Sequence, residues 1–257
     1  MVQAMHRNQT RRIRHPLGVT DWFEPGRGAA QGAVESPWFY SHFIDGLAKA
    51  LKKAGLGVVI AGQRVALVLM YADKIVMFAA SLPELERMNA IATKYAYMHR
   101  FQFNGEKSGI QLFNATAAER KRASEHQWTL GGEEVKVTGK YTYLGTTTTN
   151  DEGNWSTHVK EAIKKAQRKS ADLLWVCRSD KGMRPRTAIA LWNALVRPIL
   201  EYASELWMGQ APAYVLEAAE KVQTTFLKGT MGLHENGSGV SNAVLRAEAG
   251  CEPLKDR

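Results

Sequence analysis

The run LVLMYADKIVMFA, Leu67 to Ala79, is apolar on both sides of one pair of charges, Asp73 and Lys74. It is the most apolar stretch of the chain, and those two charges break it, so it does not read as a bilayer span. Val-, Ile-, Leu- and Met-rich arms around a short polar spot instead predict a buried β-hairpin with Asp73 and Lys74 at or near its tip. An exposed turn and a working site are both open readings of that tip.

Helices and further strands surround it. From Ser36, SPWFYSHFIDGLAKALKKAG puts Phe39, Phe43, Leu47, Ala50 and Leu51 on one helical face. Ser36 is the expected N-cap and Pro37 the first helical position. Lys49, Lys52 and Lys53 load the last turn, where the helix dipole favours cations, and Gly55 stops the helix. Before it, Gly26 to Gly32 is too glycine-rich to sustain a helix. A second helix is expected over Leu82–Tyr97 and two strand-like pieces around QFNGEKSGIQLF. Strands are then expected through WTLGGEEVKVTGKYTYLGTTTT, turning at Gly131 and Gly132.

After Asn150 the pattern is helical. Val159, Ile163, Ala166, Leu173 and Leu174 share an apolar face, and Lys160, Lys164, Lys165, Arg168 and Lys169 lie largely off it. RPRTAIALWNALVRPILEYASELW predicts a helix kinked at Pro198. AYVLEAAEKVQTTFLKG predicts another that stops at Gly229, and a loop and a short helix follow. The composition shift places the expected boundary at Asn150, with an α+β domain over residues 1–150 and an all-α region over residues 151–257.

The chain has 257 residues, 45% of them apolar, which is ample for a globular core. Its 34 Lys and Arg against 25 Asp and Glu leave a formal charge of +9, which favours an anionic partner such as nucleic acid or an anionic membrane surface. A soluble basic protein without such a partner is the alternative. Cys177 and Cys251 are too few and too far apart for a disulfide framework, and no C-x-x-C pair is present to suggest structural zinc. A reducing, intracellular setting fits. The opening MVQAMHRNQTRRIRHP is basic but lacks the apolar segment of a secretory signal. The N-x-S/T triplets at Asn8, Asn114, Asn154 and Asn236 therefore carry no expectation of glycosylation, and the seven His show no H-E-x-x-H spacing.

A carboxylate held at the tip of an apolar hairpin has a definite chemical use. With a second carboxylate on a neighbouring strand it can hold two Mg²⁺ ions, which stabilise the attacking and leaving oxygens of phosphoryl transfer. YAD alone is a short motif that recurs by chance, and its neighbours in the chain are what matter. QGAVESP (Gln31 to Pro37) precedes YADK (Tyr71 to Lys74), followed by FNGEKS (Phe103 to Ser108) and YTYLG (Tyr141 to Gly145). In order and spacing these resemble the palm of reverse transcriptases of non-LTR, LINE-type retrotransposons, which read Q-G-x-x-x-S-P, Y-A-D-D, N-x-x-K and Y-L-G. The helical part resembles that family's thumb through WSTHVKEAIKKA, MRPRTAIALWNALVRPILEYASELW and EAGCEPL. The resemblance runs from about residue 15 to the end of the chain.

The resemblance implies an incomplete right-hand polymerase palm, an antiparallel sheet with packing helices, followed by an all-α thumb-like bundle. It implies Mg²⁺ as cofactor, RNA or DNA as partner, and a nuclear or cytoplasmic location. Gln31, Gly32, Ser36 and Pro37 would position template and incoming nucleotide, Tyr71 would flank the nucleotide and Asp73 would ligate metal. Lys107 would face phosphate, or else be a solvated lysine. Tyr141, Tyr143, Leu144 and Gly145 would hold the primer end, or simply pack as an aromatic hairpin. Lys160, Lys164, Lys165, Arg168 and Lys169 would track a phosphate backbone, against the alternative of a solvated helix face. Trp155, Trp175, Trp192 and Trp207 are expected in the core rather than stacked on bases.

Two departures point away from catalysis. Lys74 stands where the family has a second Asp, which removes one negative charge and adds a positive one. Two unit charges about 4 Å apart interact by roughly 4 kcal/mol at an effective dielectric near 20. The family's earlier palm strand, with its own Asp, has no match in residues 1–30, where Asp21 is the only aspartate. The expectation is a reverse-transcriptase-like chain truncated at its N-terminus and without polymerase activity. A non-catalytic nucleic-acid-binding module is the alternative.

Overall fold

Pro37 lacks an N–H that a first helical turn would leave unbonded anyway, so the helix can start there without loss. In the computed structural model it spans Ser36–Lys53 (α1), with Glu35 as N-cap. Ser36 is thus already helical rather than the cap. The structure describes residues 10–25, 32–65, 68–150, 155–178, 182–233 and 239–254. Ile44, Leu47 and Leu51 form the buried stripe of α1, while Phe43 sits at its exposed rim. Contacts group the chain into two compact units, Met1–Gln102 with Leu130–Gly132, and Phe103–Thr129 with Glu133–Arg257.

In the first unit a small hairpin, β1 (Arg14–His15) and β2 (Gly18–Val19), precedes α1. The single apolar hairpin expected after α1 is two. β3 (Val58–Ile60) pairs with β4 (Gln63–Val65) around Ala61 and Gly62, both at positive φ. β5 (Val68–Tyr71) pairs with β6 (Lys74–Met77), with Tyr71 opposite Lys74. The glycine-containing turn made the division possible, because a chain that reverses at Ala61–Gly62 pairs locally before it reaches Val68. Nor is the β5–β6 hairpin fully buried. Along β5 half-buried and exposed residues alternate, the pattern of an antiparallel ribbon covered on one face. α2 (Leu82–His99) is capped by Ser81 and packs Met88, Ala92, Tyr95 and Ala96 into the same core. Gly46 of α1 admits the Tyr95 ring. A Cβ there would stand 2.6 Å from the tyrosine oxygen, and that hydroxyl donates to the Phe43 carbonyl.

In the second unit a 3₁₀ turn, Gly105–Lys107, leads into β7 (Gly109–Ile110). α3 (Ala117–Glu125) follows, a polar helix absent from the sequence expectation. β8 (Thr129–Leu130) and β9 (Glu133–Glu134) come next, joined through Gly131 and Gly132, which with Leu130 group with the first unit. β10 (Lys136–Val137) then runs parallel to β7. β11 (Lys140–Tyr143) and β12 (Thr146–Thr149) form an antiparallel hairpin around Leu144 and Gly145. Both turn residues have positive φ, as a two-residue type I′ turn demands. Among the described residues the strands pair only two by two.

The helices follow as α4 (Ser156–Arg178), α5 (Pro185–Leu195), α6 (Arg197–Glu201), α7 (Ser204–Trp207), α8 (Ala213–Thr230) and α9 (Asn242–Ala249). Their apolar faces meet in one cluster that runs from Val159 to Leu254. The helix expected to kink at Pro198 is broken there. α5 ends at Leu195 and α6 restarts at Arg197, because a proline ring clashes with the carbonyl four residues earlier and offers no N–H. α8 passes through Gly229 instead of stopping at it. A Cβ at Gly229 would lie 2.7 Å from Leu174 Cδ2, so the glycine is there for close helix contact. The fold is mixed α and β with small sheets, and among the described residues no helix is long and apolar enough to cross a membrane.

Candidate functional site

The residues singled out in the sequence lie in three places. The first is the tip of the β5–β6 hairpin. Ala72 (φ 48°) and Asp73 form its turn, and Lys74 opens β6. The Lys74 ammonium lies 3.8 Å from Asp73 Oδ1, with the two side chains 56% and 83% exposed. At that exposure the pair sits in water, where the attraction between charges about 4 Å apart falls to roughly 1 kcal/mol. Tyr71, opposite Lys74, is also exposed. α1 contributes Tyr40, whose phenol is pushed up by burial and by the negative charge of Asp73. Gly32 (φ +84°) lies in the turn before α1, Ser36 and Pro37 are its first two residues, and Gln31 lies outside the described residues.

A pair of Mg²⁺ ions needs several oxygen ligands in near-octahedral geometry. The tip offers one exposed carboxylate with an ammonium beside it. Among the described residues no three His, Cys, Asp or Glu side chains gather where they could hold a metal ion. Asp21 is exposed in the loop after β2. This donor set does not fit the two-metal site that the family resemblance implies.

The second place is the β11–β12 hairpin. It brings FNGEKS and YTYLG together. Tyr141 Oη donates to the Lys107 carbonyl at 2.7 Å, and its ring covers Gly109, where a Cβ would stand 3.1 Å from Tyr141 Cδ2. Asn104 Oδ1 accepts from the Lys107 N–H at 3.0 Å, while the Lys107 side chain is exposed. Tyr143 is half-buried, and burial pushes its phenol up.

The turn itself is clasped by Tyr202, which the sequence did not single out. The Tyr202 hydroxyl donates to the Leu144 carbonyl at 2.6 Å, and a Cβ on Gly145 would stand 3.1 Å from its ring. β12 docks on α4 through Thr147. Its N–H donates to His158 Nδ1 at 3.3 Å and its hydroxyl to Glu161 Oε2 at 3.0 Å. Lys140 also pairs with Glu161, and that ion pair, with the Thr147 bond, holds the carboxyl below its ordinary value despite some burial. Burial holds the His158 imidazole below its ordinary value, and Lys165 adds to this. The Tyr202 carbonyl and Glu161 act in the opposite sense. The hairpin is therefore tied down at its turn by Tyr202 and along β12 by α4.

The third place is α4. Lys160, Lys164, Lys165, Arg168 and Lys169 are all exposed, and His158, Val159, Ile163, Ala166 and Leu173 are buried beneath them. Of the four tryptophans expected in the core, Trp192 and Trp207 are there. Trp155 is half-buried, and its Nε1–H donates to Gln210 Oε1 at 3.2 Å. Trp175 is not in the core; it is 76% exposed. The signal was in the spacing, since Trp175 follows Lys164 and Arg168 by whole numbers of helical turns and so shares their side of the helix.

No protein-family model matches the chain, and no curated protein matches it.

Proposed function

We propose that this chain is a reverse-transcriptase-like polypeptide of non-LTR retrotransposon descent, palm-like in its first part and thumb-like in its helices. In this reading it works inside the cell, binds RNA or DNA, and does not itself catalyse nucleotide addition. The observation that carries the reading is the order of four motifs along one chain, QGAVESP, YADK, FNGEKS and YTYLG, with Asp73 in a two-residue turn between antiparallel strands.

The loss of catalysis follows from the donor set. Nucleotide addition by two metal ions requires carboxylates that share both ions, so that one ion activates the attacking hydroxyl and the other steadies the leaving phosphate. Asp73 has Lys74 as its neighbour instead, and that ammonium repels a divalent cation where a second carboxylate would attract it.

Primer extension on an RNA template tests the proposal. The purified chain is expected to extend no primer with Mg²⁺ or Mn²⁺ present. Template-directed DNA synthesis that Asp73→Asn abolishes would overturn it.

A further inference from the structure

The solvent side of α4 carries two kinds of group that seldom serve a core. Lys160, Lys164, Arg168 and Trp175 fall within roughly 80° of one another around the helix, on the face opposite Ala166 and Leu173. At 76% exposure the Trp175 indole is not packing material. A second exposed aromatic lies at the other end of this face. The Lys160 ammonium stands 5.8 Å from the centre of the Tyr214 ring, and Tyr214 is 58% exposed. Lys160 and Trp175 are about 22 Å apart along the helix at 1.5 Å per residue. Cations thus lie between two open aromatic rings, with Asp172 the acid closest to Trp175 along α4 and Glu161 already paired with Lys140.

Each group selects a partner feature. Lysine and arginine in a row take phosphates and release their counterions. A free indole face takes another flat π-surface. Paired bases hide their faces inside the stack, so a duplex offers phosphates but no base to stack on. An anionic membrane suits the face less well, because an interfacial helix must sink an apolar face into lipid, and the apolar face of α4 is occupied by the core.

We infer that the exposed face of α4 binds an unpaired nucleic-acid strand, with Trp175 stacking on a base and Lys160, Lys164 and Arg168 tracking the phosphates. This inference rests on the reading that the chain binds nucleic acid, and it specifies where and in which form. Lys165 and Lys169, farther round the helix, widen the positive field without flanking the indole.

The full chain is titrated against a labelled oligouridylate and a labelled duplex of equal charge, over a series of salt concentrations. The single strand is expected to bind more tightly. Trp175→Ala should weaken it by about tenfold or more, Trp175→Phe should retain most of the affinity, and duplex binding should stay unchanged in both. Lys164→Gln with Arg168→Gln should weaken both probes and reduce the log–log salt slope for the single strand by roughly 1.4. Because Trp175 is on the solvent side, its variants should melt like the parent chain, which keeps loss of fold apart from loss of stacking. Equal affinity for the two probes, or a Trp175→Ala variant that binds the single strand like the parent, overturns the stacking assignment and leaves nucleic-acid binding standing. If neither probe binds at low salt, or anionic phospholipid vesicles bind in their place, both readings fall.

Discussion

Lys74 shows how much of a turn's charge one residue sets. In the sequence it sets a cation beside Asp73; in the structure both side chains stand in water, 3.8 Å apart at a turn. The charge pair was legible, because charge is a property of the residue itself. His158 is the opposite case. Nothing in its neighbours along the chain marks it, yet β12 and the Tyr202 carbonyl enclose it. Its Nδ1 accepts the Thr147 N–H, so that nitrogen must stay bare. Protonation would put a hydrogen on it and break the bond. The folded-state value lies below the ordinary 6.5, so the unfolded chain takes up the proton first as pH falls. The stability from neutral His158 is then complete above 6.5 and declines below it, toward the depressed folded value. The charged groups that face it are Glu161, which favours its protonation, and Lys165, which opposes it, with Lys140 holding Glu161 from β11. Thermal melts across that window should show the midpoint falling with pH in the parent chain and a flatter profile in His158→Gln. Identical profiles would count against the assignment. Glu161 acts in a separate and more acidic window. Its value lies below the ordinary 4.5, so its contribution is present above 4.5 and lost only beneath it.

At the scale of elements, periodicity carried most of the reading. α1, α2 and α4 appear where apolar residues recur at helical spacing, and β5 with β6 and β11 with β12 appear where β-rich arms flank short turns. α3 was missed because it has almost no apolar face. Of AAERKRASE only Ala123 is buried. Its usable signal was the capping box, in which Thr116 Oγ1 accepts from the Glu119 N–H and Glu119 accepts from the Thr116 N–H. Gly229 was misread for a related reason. A glycine late in a helical run usually marks its end, but this one lies inside α8 where Leu174 of α4 presses against it. Gly229→Ala should therefore destabilise. Crowding of this kind costs about 1–3 kcal/mol, and the better helix propensity of alanine offsets about 1 kcal/mol of it. The expected net loss of roughly 1 kcal/mol should appear as a lower denaturation midpoint. A midpoint that rises would show that Leu174 and Arg178 simply move aside.

Across the whole molecule the two units differ in how they are held. The helical one has a continuous apolar cluster, with Trp192 and Phe226 stacked at 6.0 Å inside it. The other relies on the α1–α2 pair and on two-stranded hairpins that leave Val59, Ile60, Leu69 and Tyr71 exposed. Two-stranded ribbons are marginal without a cover, and local opening follows the depth of the apolar contacts. Hydrogen exchange should accordingly be slowest in α4 and α8 and much faster in β3 to β6. Strands that outlast those helices would show that the hairpins have a cover this structure does not record. What the sequence determined by itself was local: most of the helical segments, several of the turns, and that one acid and one cation share a hairpin tip. Periodicity and residue type set these, and both act over a few neighbours. Tertiary structure alone decided that Gly229 admits Leu174, that Tyr202 clasps a turn 58 residues before it, and that burial holds His158 below its ordinary value. Each of these depends on residues far apart in the chain arriving at the same place, which no short stretch of sequence encodes.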